Sequence, residues 1–142
     1  MKKLRKRCNF DKFFFIVILG IGTDIVEVER INKQILKDSG FKEKVFTSGE
    51  IKYCDSKKFF GQNYAARFAG KEAFLKAIGT GLRDGLAFNE IEILNDELGK
   101  PNIFLHGQTK IIVEKIGIGN IHISLSHEKD MATAKVIVET KN

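Results

Sequence analysis

The sequence predicts an α+β domain with helices packed on a largely antiparallel sheet. Three observations lead there. Strand patterns fall in adjacent pairs joined by short turns instead of alternating singly with helices. Three helical patterns follow one another between the first strand and the second. The chain is 142 residues long with 43% apolar and 30% charged residues, which suits one globular domain and little more.

Taken in order, Ile16, Val17, Ile18, Ile21, Ile25 and Val26 are β-branched and predict a buried strand. Residues 27–37 place Val28, Ile31, Ile35 and Leu36 at helical spacing with charges opposite, and Gly40 is expected to end that helix. Thr47-Ser48-Gly49-Glu50 has the capping-box spacing and opens a short helix to about Asp55. Residues 64–78, rich in Ala, Lys and Phe, form the strongest helix pattern, stopped by Gly79-Thr80-Gly81. Residues 90–95 alternate Ile91 and Ile93 with Glu92, and the run from Asn95 to Pro101 is a strong turn signal. A strand over residues 102–106 completes a hairpin. An amphipathic helix over 107–116 and two closing strands, about 121–125 and 132–138, finish the order β-α-α-α-β-β-α-β-β. No repeat or low-complexity segment interrupts it.

The net charge of +6 is concentrated at one end: residues 1–17 carry six bases and one acid. The remainder is nearly neutral, so a broadly basic nucleic-acid surface is not expected. The basic start followed by an apolar run resembles a secretory signal, but no small-x-small cleavage site follows. The run is also shorter than the roughly 20 apolar residues a membrane helix needs. Residues 1–15 are therefore read as an N-terminal extension and 16–142 as a single cytoplasmic domain, with no membrane partner. Cys8 and Cys54 form no CxxC, which suits a reducing compartment and no structural zinc.

Three constellations carry chemistry. Gly20-Ile21-Gly22-Thr23-Asp24 hints at a phosphate loop, but Ile25 stands where a third Gly belongs and no Walker lysine follows. Asp24 matters more: an acid inside an apolar strand is a helix cap, a surface group or a ligand for a divalent cation. In residues 67–76, Glu72 and Lys76 are i,i+4 neighbours on a helix, as are Arg67 and Lys71. On spacing alone these are solvated ion pairs, but Ala65, Ala69 and Ala73 suggest close packing around four charges suited to anions. Ser124-Leu125-Ser126-His127 ends a strand and offers hydroxyl, imidazole and backbone N–H groups to a phosphate, or is an ordinary strand end. No hydrolase triad or elbow accompanies it, and His106 and His122 read as structural.

Gly22-Thr23-Asp24, the run Phe68-Ala69-Gly70-Lys71-Glu72-Ala73-Phe74-Leu75-Lys76-Ala77, Gly99-Lys100-Pro101 and Ser124 to His127 together resemble the small bacterial type of 4′-phosphopantetheinyl transferase, the holo-[acyl-carrier-protein] synthases. The likeness runs from about Ile18 to Glu139, and members usually begin near the position of Ile18. It implies the 4′-phosphopantetheinyl transferase fold and transfer of 4′-phosphopantetheine from coenzyme A to a serine of apo-acyl carrier protein. Adenosine 3′,5′-bisphosphate would be released, in the service of fatty acid biosynthesis. By motif, Asp24 and Glu72 are implied to hold Mg²⁺, with Glu72 the base for the serine and Lys76 facing the departing phosphate. Arg67 and Lys71 are implied as further phosphate contacts. A homotrimer is implied as well, in which Gly99, Lys100, Pro101, Ser126 and His127 reach coenzyme A from an adjacent subunit. Arg30, with Lys33 and Lys37 beyond it, is implied to meet the acidic carrier protein. A coenzyme-binding module without catalysis, and an RNA- or membrane-binding protein acting through the basic tail, are the competing classes. The joint presence of Asp24, Glu72 and Lys76 counts against the first.

Overall fold

The computed structural model describes residues 15–141. Strand β1 (Ile18–Glu27) leads into α1 (Val28–Leu36), α2 (Phe41–Val45), α3 (Ser48–Asp55) and the long α4 (Phe60–Ala77). A 3₁₀ turn (Phe88–Glu90) precedes β2 (Ile91–Asn95) and β3 (Pro101–Leu105), then α5 (Gly107–Ile116), β4 (Ile118–His127) and β5 (Met131–Thr140). Every strand pairing is antiparallel: a three-stranded sheet in the order β1-β5-β4 and a separate β2-β3 hairpin. The expected α+β architecture is met.

Helix α4 organises the core. One side lies on β1, β5 and β4, while α1, α3 and β2 cover the others. Ala65, Ala69 and Ala73 are fully buried, with Tyr64, Phe74 and Leu75 around them. A helix buried on nearly all sides needs no amphipathic stripe. This explains why α4 begins at Phe60 rather than at 64: packing of Phe60 against the core outweighs the weak helix formers Gly61 and Asn63.

Two glycines let α4 come so close to the sheet. A Cβ on Gly20 or Gly22 would collide with the backbone of Ala77 or Ala73, so only glycine permits this crossing. The Gly-x-Gly pattern is thus a packing device between strand and helix.

Three expectations need correction. Gly40 does more than end a helix: at φ +81° it starts α2, whose Phe41 ring meets Phe46 and Phe68, each 6.3 Å away between centroids. The closing strands are longer than their apolar runs, because ladder pairing extends through Ser126↔Thr133 and His127↔Ala132. And β1 is buried on one face only. Ile21 and Ile25 point away from α4 and are 66% and 65% exposed. The expected extension over residues 1–15 lies, apart from Phe15, outside the described residues, as does Cys8. No helix among the described residues is long and apolar enough to cross a membrane.

Candidate active site

The close β1–α4 crossing decides what stands beside Asp24. Two residues beyond Gly22 on the same strand face, its carboxylate meets the last turns of α4. Lys76 Nζ donates to Asp24 Oδ1 at 2.7 Å and to the Thr23 carbonyl at 3.1 Å. The Asp24 side chain is 15% exposed and that of Lys76 53%, so the pair sits where the β1–α4 crossing opens to solvent. The i,i+4 spacing suggested that Lys76 would pair with Glu72. Its hydrogen bond goes across to the strand instead, while its charge still acts on Glu72.

Glu72, one turn earlier on α4, completes the cluster. Partial burial pushes its carboxyl pKa up, and the neighbouring Asp24 carboxylate pushes it further. Lys76 and Arg30 pull the other way. Arg30 is exposed on α1 with its guanidinium 6.0 Å from the Phe68 ring centroid, a geometry that favours a cation over an aromatic face. Strand β1, helix α1 and helix α4 thus bring together two carboxylates and two cations.

A carboxylate whose ionisation is disfavoured by a second one beside it, as Glu72's is by Asp24, offers a donor pair that a hard dication relieves. Among the described residues no group of three or more His, Cys, Asp or Glu could hold a metal ion. Asp24 and Glu72 could hold a hard dication of the kind that takes one or two carboxylates and completes its shell with water and ligand phosphates, such as Mg²⁺.

Arg67 and Lys71 are not where the spacing suggested. Lys71 is fully buried: Nζ donates to Glu50 Oε2 at 2.7 Å, to the Val45 carbonyl at 2.5 Å and to the Phe88 carbonyl at 2.8 Å. Arg67 is 2% exposed, donating to the Ile93 carbonyl at 3.0 Å and to Asn95 Oδ1 at 2.9 Å. Its guanidinium also lies 4.1 Å from the centroid of Tyr53. Neither forms a solvated pair, and their donors are taken up inside the fold, so the expectation of direct phosphate contact from these two residues is corrected.

The remaining predicted residues stand elsewhere. Gly99 and Lys100 lie in the β2–β3 turn and Pro101 opens β3, with Gly99 at φ +85°. Ser126 and His127 end β4, exposed and two strands away from β1. Among the described residues none of these five makes a hydrogen bond or ion pair with Asp24, Glu72 or Lys76. His106 and His122 pair with Glu92 at 3.0 Å and Glu139 at 2.8 Å. Sequence reasoning passed over a cavity of about 530 Å³ at the N-terminal end of α4, lined by Val28, Asn32, Lys58, Phe59, Gln62 and Lys129 among others. The adjacent Lys57-Lys58-Phe59-Phe60 run was its one sequence signal, a cationic and aromatic pair of the kind that suits nucleotides.

Comparison with known proteins places the chain in a family. The family model of the 4′-phosphopantetheinyl transferase superfamily matches residues 20–132. A holo-[acyl-carrier-protein] synthase from Geobacter sp. (strain M21) is 44% identical over 124 residues, covering 87% of this chain and 99% of the relative. The crystal structure of the synthase from Neisseria meningitidis superposes with a TM-score of 0.81 at 38% identity, over 87% of this chain and all (100%) of that one. The Bacillus anthracis synthase, solved in complex with CoA (3′,5′-ADP), gives a TM-score of 0.74 at 35% identity, over 89% of this chain and 100% of its own. The chain belongs to the 4′-phosphopantetheinyl transferase superfamily, a class of group-transfer enzymes. Within that class, the relative and the two solved structures above are all holo-[acyl-carrier-protein] synthases.

Proposed function

We propose that the chain transfers 4′-phosphopantetheine from coenzyme A to a serine of apo-acyl carrier protein, in a Mg²⁺-dependent reaction that releases adenosine 3′,5′-bisphosphate. The observation that carries this reading is the meeting of Asp24, Glu72 and Lys76 at the β1–α4 crossing, in a fold shared with solved holo-[acyl-carrier-protein] synthases. Asp24 and Glu72 would hold the ion, which when bound supplies positive charge to the pyrophosphate of the coenzyme. Glu72, beside the position of the ion, accepts the proton of the serine hydroxyl. The serine oxygen bonds to the β-phosphorus, and the bond from that phosphorus to the bridging oxygen breaks. Lys76, already turned toward Asp24 and half exposed, donates to the phosphate that leaves.

The cavity beside Lys58 and Lys129 has the chemistry for the nucleotide end of the coenzyme: two ammonium groups and the Phe59 ring. Lys129 is two residues from His127, so the β4 tip and the cavity share an edge. Gly99, Lys100, Pro101, Ser126 and His127 act from an adjacent subunit of a homotrimer, and the exposed Ile21–Ile25 face of β1 supplies an apolar surface for that assembly. Arg30, exposed next to Glu72, meets the acidic carrier protein, with Lys33 and Lys37 further along. Residues 16–142 form the catalytic domain, residues 1–15 an extension, and the substrates point to the cytoplasm.

The test is transfer to an apo-carrier protein followed with and without EDTA. Transfer that stops on chelation and returns with Mg²⁺ supports the reading; undiminished transfer in EDTA contradicts the metal assignment.

A further inference from the structure

We propose that Arg67 is a positioning residue: acting through Asn95, it sets where the Gly99-Lys100-Pro101 turn stands relative to α4, and so how that turn meets the coenzyme. The inference deepens the reading above and rests on that turn being a coenzyme contact.

The argument begins with the guanidinium. Arg67 is 2% exposed, its Nε is held by the Ile93 carbonyl at 3.0 Å, and its guanidinium carbon lies 4.1 Å from the Tyr53 ring centroid. Nη2 then points at Asn95 Oδ1 with a separation of 2.9 Å. A guanidinium only donates, so it dictates which way round the Asn95 amide lies. With Oδ1 engaged, Nδ2 is turned outward and donates to the Gly99 carbonyl at 2.9 Å. One buried cation thereby orients one half-buried amide, which grips the turn at its left-handed glycine.

The shape of the turn has a separate origin. Asp96 Oδ1 accepts from the backbone N–H groups of Leu98 and Lys100, both at 2.9 Å, and Asp96 N donates to the Lys100 carbonyl at 2.8 Å. These bonds make the turn a rigid unit, which the β2-β3 ladder joins to the hairpin at Asn95↔Pro101. The side-chain link from Gly99 through Asn95 to Arg67 ties that unit to the helix that carries Glu72 and Lys76. Burial of Arg67, which removes it as a phosphate contact, gives it this second role.

The test compares three variants by steady-state kinetics, varying coenzyme A and carrier protein in turn, alongside thermal melting. Asn95→Asp keeps an acceptor for Arg67 but cannot donate to Gly99. It should raise KM for coenzyme A roughly three- to tenfold, the scale of one lost hydrogen bond, with kcat and KM for the carrier protein within about twofold of the parent. Its melting temperature should not fall. Asn95→Ala loses both bonds, and should show the same rise in KM together with a lower melting temperature. Lys100→Ala tests the turn itself. A raised KM for coenzyme A in Lys100→Ala but not in Asn95→Asp overturns the positioning role while leaving the turn as a coenzyme contact. An unchanged KM in both overturns the turn as a contact and the proposal with it. A loss of stability in Asn95→Asp without any change in KM assigns the bond to folding alone and also overturns the proposal.

Discussion

Glu72 is a carboxylate asked to ionise beside another carboxylate, and that has a cost in the protein without ligand. Desolvation and then Asp24 raise its pKa above the usual value, so between the ordinary and the raised pKa the folded chain holds a proton the unfolded chain has released. Stability tied to this group is therefore present at low pH and lost as pH rises through that window. Glu72→Gln should melt higher than the parent at pH 7 without metal, and the gap should close toward about pH 4, near the ordinary Glu pKa. The same variant should lower transfer by roughly 10²-fold or more, because on the proposed reading Glu72 is both the base and a metal ligand. A variant that melts lower and keeps its activity would remove Glu72 from the site. Asp24 was legible in the sequence as an acid out of place in an apolar strand, and Glu72 and Lys76 from their motif. That Lys76 bonds to Asp24 was not legible, since it follows from how closely β1 crosses α4.

At the scale of elements, helix α4 shows where charge patterns mislead. Arg67 and Lys71 read as surface groups because long cations usually are, yet their acceptors are supplied by α2, α3 and the 3₁₀ turn for Lys71 and by β2 for Arg67. Glu50 connects several of these elements. It closes the Thr47 capping box at the start of α3, accepts from Ile93 N at 2.8 Å in β2, and pairs with Lys71. The capping box could be read from spacing; its carboxylate's second use could not, because Lys71 and Ile93 lie far along the chain. Lys71→Met should leave Glu50 buried without its cation and cost about 3–5 kcal/mol of folding stability. Denaturant unfolding measures this, and Lys71→Met combined with Glu50→Gln should recover part of the loss. A change below about 1 kcal/mol in Lys71→Met would mean the pair contributes no more than a surface salt bridge.

For the whole molecule, the element order and the antiparallel character were readable from paired strands and turn residues, but the β1-β5-β4 order and the separation of the β2-β3 hairpin from that sheet were not, and β1, expected as a buried strand, is buried on one face only. In a single chain its outer face leaves Ile21 and Ile25 in water, beside Ile137 and the β4 row of His122, Ser124 and Ser126. No single-chain sequence pattern distinguishes a strand covered by its own helices from one covered by another copy. If the proposed homotrimer forms through this face, Ile25→Asp should turn it into a monomer by light scattering and lower transfer, since on that reading the turn and the β4 tip act on a neighbour's site. A fully active monomer would confine the site to one chain. The central claim, that this chain moves phosphopantetheine onto a carrier protein, is tested most directly by intact mass. Apo-acyl carrier protein incubated with coenzyme A, Mg²⁺ and the full chain should gain about 340 Da in a single covalent transfer, and should not do so with Glu72→Gln. An unmodified carrier protein, under conditions where the chain is folded and coenzyme A binds, would contradict it and leave a binding module in its place.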